Sequence, residues 1–203
     1  MVAGYHLLAT PSGHPIEYFV AGVGAPEPVT VFAHGLGGDI ATTRPLGSGV
    51  PGRKVFFHFR GHVRPPVPPT VWSYADLAGD LAAVADHVGA TRALGASLGA
   101  GALCALLARR PDRFARVVLY LPAALDQPRL DRPPPVADAA LLATVTAPAL
   151  VLACRDDELH PVEIAQRLAE SLPKATLYVF DRPDPVRTAR AALRQQIASF
   201  LAE

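Results

Sequence analysis

Cysteine is scarce. The chain has two, Cys104 and Cys154, too few for a disulfide framework and without the paired spacing of a metal site. Lysine is nearly absent: Lys54 and Lys174 are the only two among 19 basic residues. Charged residues make up 18% of the chain and the net charge is +1, so no general field is available to hold nucleic acid. The N-terminus lacks a basic segment followed by an apolar run, so no signal peptide is expected. The longest apolar run, Leu98–Ala108, is too short to cross a bilayer. There is no Walker lysine pattern and no G-x-G-x-x-G, which leaves nucleotide binding without support. The expectation is a cytoplasmic protein with neither a membrane nor a nucleic-acid partner.

What is present points to a packed core. Half of the 203 residues are hydrophobic, which suits a single domain over residues 1–203. Proline is abundant at 21 residues and clusters at 65–69 and 133–135. Both clusters read as stiff loops between periodic segments.

Apolar runs alternate with helical patterns. Strands are expected at Ile16–Ala21, Val29–Ala33, Lys54–Phe59, Thr91–Leu94, Val117–Leu121, Ala149–Ala153 and Ala175–Phe180. Several are continuous Val, Leu and Phe runs, as in parallel strands buried on both faces. Leu77, Leu81, Val84 and Val88 share one helical face, as do Ile164, Leu168 and Leu172. Val186, Ala189, Leu193, Ile197 and Phe200 predict a C-terminal helix, with Arg187, Arg190 and Arg194 on a solvated face. Leu98–Ala108 is apolar all round, so that helix is expected to be central. The alternation predicts an open α/β fold with a mainly parallel sheet flanked by helices, whose ligands bind beyond the C-terminal strand ends.

Gly95-Ala96-Ser97-Leu98-Gly99 follows a strand and opens the buried helix. This is the G-x-S-x-G pattern of a nucleophile elbow, in which the glycines permit a strained turn and the serine projects above the sheet. The helix start supplies N–H groups and a positive dipole for an oxyanion. The alternative is an ordinary turn with a serine cap. A second glycine-rich loop, His34-Gly35-Leu36-Gly37-Gly38, follows Val29–Ala33 and can bring another N–H toward the serine. Leu36 and Leu98 are therefore the candidate oxyanion-hole residues.

A third segment, Arg60-Gly61-His62, follows the strand Lys54–Phe59. Together these segments resemble the α/β-hydrolase superfamily. Val29–Gly38 is similar to its oxyanion strand and loop. Lys54–Val63 is similar to its D-x-R-G-H-G segment, with His58 in place of the Asp. Arg109–Phe114 is similar to the turn after its central helix. The resemblance implies a triad acid at Asp157, with Asp156 as the neighbouring choice. It also implies a histidine after the last strand, where this chain has Pro183, Asp184 and Pro185 and no histidine follows His160.

Several readings stay open. His160, three residues after Asp157, can serve as base; His34 or His62 are other candidates; otherwise Ser97 is a relic. The strand Thr91–Leu94 looks short, which would displace the elbow slightly. Pro122–Pro148 is too brief for a helical cap and leaves room for one helix, Ala137–Val145, so the cap is absent or vestigial. The Pro65–Pro69 loop is expected at the rim. Trp72 and Tyr74 read as a staple for the helix carrying Leu77, and Cys154 as a packing thiol.

The functional expectation is a serine hydrolase for an ester, thioester or lactone, with Ser97, Asp157 and His160 as catalytic residues. That chemistry needs no metal and no cofactor, and its partner is a small-molecule substrate. The alternative is a catalytically degenerate member that binds a small ligand or partner. A lyase or isomerase using Asp157 and Asp184 as paired carboxylates is a third reading.

Overall fold

In the computed structural model, residues 3–10, 13–22, 24, 27–62, 72–129 and 132–203 are described. Eight strands form one sheet: β1 (Gly4–Leu8), β2 (Ile16–Ala21), β3 (Val29–Ala33), β4 (Arg53–Phe57), β5 (Arg92–Ala96), β6 (Arg116–Tyr120), β7 (Ala149–Cys154) and β8 (Ala175–Phe180). Their spatial order is β1-β2-β4-β3-β5-β6-β7-β8. The pairs β1–β2 and β2–β4 are antiparallel, and the rest are parallel. The sheet is thus mainly parallel, and its central strands are the ones buried on both faces. Every residue of β3 and β7 is buried, whereas β1 and β8 at the two edges alternate toward solvent.

The α-helices among the described residues are α1 (Ile40–Thr43), α2 (Tyr74–Val88), α3 (Leu98–Leu107), α4 (Val162–Ser171), α5 (Pro185–Thr188) and α6 (Arg190–Ala202). The period-2 alternation of the strands divides the apolar residues into two cores. Val31, Val55, Val117 and Val151 face one side, where Leu81 of α2, Leu103 of α3 and Leu168 of α4 cover them. Phe32, Phe56, Val118 and Leu150 face the other, where Ile40 of α1 and Leu193, Ile197 and Leu201 of α6 cover them. Helix α2 opens with a capping box, Ser73 with Asp76, and closes on a left-handed Gly89. Helix α3 is buried throughout, in keeping with its all-round apolar sequence.

Four features differ from the sequence reading. Strand β1 has no apolar run to announce it, because it lies at an edge with Tyr5 and Leu7 exposed. Strand β5 runs to Ala96, has five residues like β3, β4 and β6, and pairs with both β3 and β6. Residues 139–144 form a short 3₁₀ helix capped by Asp138; among the described residues of 121–148 there is no α-helix, and no cap covers the sheet there. The C-terminal helix is broken at Ala189 (φ −140°). There the Thr188 hydroxyl donates back to the carbonyls of Pro183 and Asp184, and α6 starts afresh. The Pro65–Pro69 loop lies outside the described residues.

Candidate active site

The parallel strands deliver their loops to one edge of the sheet. Ser97 follows β5 there with φ 50° and ψ −108°, a backbone state that costs on the order of 1–3 kcal/mol. Backbone bonds hold it: Ser97 N–H donates to Tyr120 O at 2.9 Å, and Ser97 O accepts from Ala100 and Gly101. The flanking glycines are required by close approach of backbone. A Cβ on Gly95 would lie 2.4 Å from Gly99 O, and one on Gly99 would lie 2.4 Å from Ala33 O. The elbow pattern in the sequence is the imprint of β3, β5 and α3 touching at one point.

His160 Nε2 lies 2.9 Å from Ser97 Oγ, and its Nδ1 lies 2.9 Å from Asp157 Oδ2. With the carboxylate accepting from Nδ1–H, Nε2 is left as acceptor for the serine hydroxyl. The other oxygen of Asp157 accepts the amides of Leu159 and His160 at 3.0 and 3.1 Å. The buried Cys154 thiol donates to Asp157 Oδ2 at 3.6 Å. Burial alone would raise the Asp157 carboxyl. The hydrogen bond and charge of His160 and the two amides outweigh it and hold the carboxyl below its ordinary range.

Local backbone explains how one loop carries both groups. Arg155 N–H still donates to Phe180 O, extending the β7–β8 ladder. Asp156 then turns the chain with φ 58° and points outward, exposed. A single turn follows, closed by His160 N–H to Asp157 O at 3.2 Å. The side chains of Asp157 and His160 leave it on the same side, each 16% exposed.

Where the resemblance put a histidine, Asp184 adopts a left-handed turn and pairs with Arg187 at 3.2 Å. A carboxylate engaged by its own turn does not form a dyad with Asp157, whose carboxyl is lowered rather than raised.

The other two candidate bases are bound elsewhere. His34 is fully buried; its Nδ1–H donates to Gly35 O at 2.7 Å and its Nε2 accepts from Phe59 N–H at 3.1 Å. Burial, helped by the neighbouring His62 and His58, holds its pKa down at about 4. His62 Nε2 accepts from Gly37 N–H at 3.3 Å. His58, the departure from the D-x-R-G-H-G pattern, accepts from Ile40 N–H and pairs with Glu17 at 3.0 Å. Three imidazoles thus tie the loop after β3 to the segment after β4. Arg60 anchors that segment to α2 through a two-pronged pair with Asp80 and a bond to Asp76.

The tied loop runs beside the serine: a Cβ on Gly35 would lie 3.3 Å from Ser97 Cβ. Leu36 follows in that loop, and Leu98 is the first residue of α3, whose N–H has no intrahelical acceptor. Leu36, Leu98 and Ser97 line one cleft of about 30 Å³ with Trp72, Tyr74 and two arginines, room for one or two water molecules. Trp72 and Tyr74 therefore do more than staple α2.

Sequence reading missed both of these arginines, Arg129 and Arg132. Arg129 donates to Ala123 O and Leu159 O at 2.6 Å and to Glu158 O at 2.7 Å. It pins the turn bearing His160 to the cleft wall. Its partners are backbone carbonyls, which leave no signature in a sequence. Among the described residues no group of three or more His, Cys, Asp or Glu side chains is placed to hold a metal ion. None of the described helices is long and apolar enough to cross a membrane.

No family model and no curated protein matches this chain. Solved structures do. An enol-lactonase from Burkholderia xenovorans LB400 superposes with TM-score 0.83 at 20% identity, over 98% of this chain and 100% of that one. An esterase from Exiguobacterium antarcticum gives 0.81 at 15% identity, covering all of both chains. A meta-cleavage product hydrolase from Pseudomonas fluorescens IP01 gives 0.83 at 15% identity, over 98% of each chain. The chain has the α/β-hydrolase fold.

Proposed function

We propose that the protein is a serine hydrolase that cleaves an ester, thioester or lactone through Ser97, with His160 as base and Asp157 orienting it. The observation that carries this reading is the unbroken chain Asp157–His160–Ser97, with 2.9 Å at each link. The similar folds of an enol-lactonase and an esterase fit a substrate with an activated carbonyl.

In the first half-reaction Ser97 Oγ attacks the carbonyl carbon while its proton passes to His160 Nε2. Asp157 stabilises the imidazolium. The oxyanion is held by the N–H groups of Leu36 and Leu98, two residues that line the cleft with Ser97; backbone donors of this kind carry little reorganisation cost. Collapse breaks the bond to the leaving oxygen or sulfur, which takes the proton from His160. Water then attacks the acyl-serine, gives a proton to His160, and the second collapse returns a proton to Ser97 and releases the acid. The sequence is redox-neutral and consumes one water.

The test is release of nitrophenolate from a short 4-nitrophenyl ester. Wild type should turn over and Ser97→Ala should fall to background. Equal turnover in Ser97→Ala would overturn the reading. No turnover by folded wild type, with ligand-dependent shifts in melting, would replace it with a binding role.

A further inference from the structure

We propose that the substrate carries a carboxylate, received by Arg132 in the cleft beside Ser97; this rests on the hydrolase reading above. Arg129 and Arg132 exchange backbone hydrogen bonds at 3.1 Å in both directions, and both residues line the cleft wall. They are in opposite states. Arg129 is spent on the three carbonyls of Ala123, Glu158 and Leu159. The guanidinium of Arg132 has no hydrogen-bond or ion-pair partner among the described residues. Its carbon instead stands 3.8 Å from the centre of the Trp72 ring. Stacking occupies the face of a guanidinium and leaves its in-plane donors free.

Among the described residues the cleft lining supplies no counter-charge. No described acid lines the cleft, whose other walls include Leu36, Leu98, Ala123 and Ala124. Of the described acids, Asp126 pairs with Arg167 and Asp157 with His160. A half-buried cation with free donors in a mostly apolar cleft is completed by an anion. The planar fork of a guanidinium matches a carboxylate with two parallel hydrogen bonds. Ser97 lines the same cleft, so the carboxylate belongs to the acyl or leaving part close to the scissile carbonyl.

The experiment compares mono-4-nitrophenyl succinate with its methyl ester by nitrophenolate release. Reading the ratio of kcat/KM within one protein cancels general losses. Wild type should favour the anion about tenfold or more. Arg132→Gln should bring the ratio near one, and Arg132→Lys should fall between. Independently of turnover, glutarate should change the emission of Trp72, the one tryptophan of the chain, saturably in wild type and not in Arg132→Gln. Saturable glutarate binding without turnover of either ester would keep the carboxylate site and remove the hydrolase reading. Turnover without preference for the anion, or a preference that survives in Arg132→Gln, would overturn the site and leave the hydrolase intact. Neither turnover nor glutarate binding would overturn both.

Discussion

The loops after β7 and β8 leave neighbouring strands at the same edge of the sheet and do opposite things with their polar residues. The β8 loop turns through a left-handed Asp184 and engages that carboxylate with Arg187, three residues on. The β7 loop turns through a left-handed Asp156 and sends Asp157 and His160 together toward Ser97. The residue missing after β8 is matched by one present after β7. Spacing makes the difference: three residues and one turn put acid and base on the same side, and the two backbone amides of that turn also bind the acid. A base needs its nitrogen at the serine oxygen with its other nitrogen on a carboxylate; the strand it comes from is immaterial.

The sharpest way to break this contrast is to remove the two loops' polar groups in turn. His160→Ala should lower kcat/KM by about a thousandfold or more, since base and nucleophile act as a unit. A loss under tenfold would mean that another group takes the proton. The next effect concerns the loop after β3. The folded pKa of His34, about 4, lies below the ordinary value near 6.5, so the unfolded chain takes up the proton first. Stability is fully present above about pH 6.5 and is lost as pH falls through 4, by about 3 kcal/mol. Protonation also removes the acceptor for Phe59 N–H. Thermal melts at pH 7, 5.5 and 4 read this; His34→Gln should flatten its part of the slope.

Arg129→Ala should lower kcat about tenfold with KM changed less, because it loosens the turn holding His160, and Arg129→Lys should restore part of it. Equal losses with Lys and Ala would argue against a pinning role. The smallest effect belongs to the β8 loop: Asp184→Asn should leave turnover within about twofold, as the ion pair its carboxylate makes with Arg187 is exposed. A hundredfold loss there would return the paired-carboxylate reading.

Much of this was legible in the sequence for a definite reason. Gly95, Ser97 and Gly99 are written by sterics, so their spacing reads directly as an elbow. The buried strands read as apolar runs because both their faces are covered. Edge strand β1 has one covered face and passes as a loop. At the break at Ala189 a threonine hydroxyl bonds back to its own turn, and apolar periodicity registers neither feature. His160 could be named as a candidate from its distance to Asp157, but its reach to Ser97 depends on the left-handed Asp156 and on Arg129. His58 stands where the resemblance has an Asp; with Glu17 and Ile40 it is a tether.

The most direct test of the central claim is labelling by a fluorophosphonate, read by intact mass, in wild type, Ser97→Ala and His160→Ala. If His160 activates Ser97, wild type gains one adduct and both variants gain none or react far more slowly. An adduct that forms in His160→Ala at the wild-type rate would contradict the claim, because Ser97 would then be activated without the β7 loop.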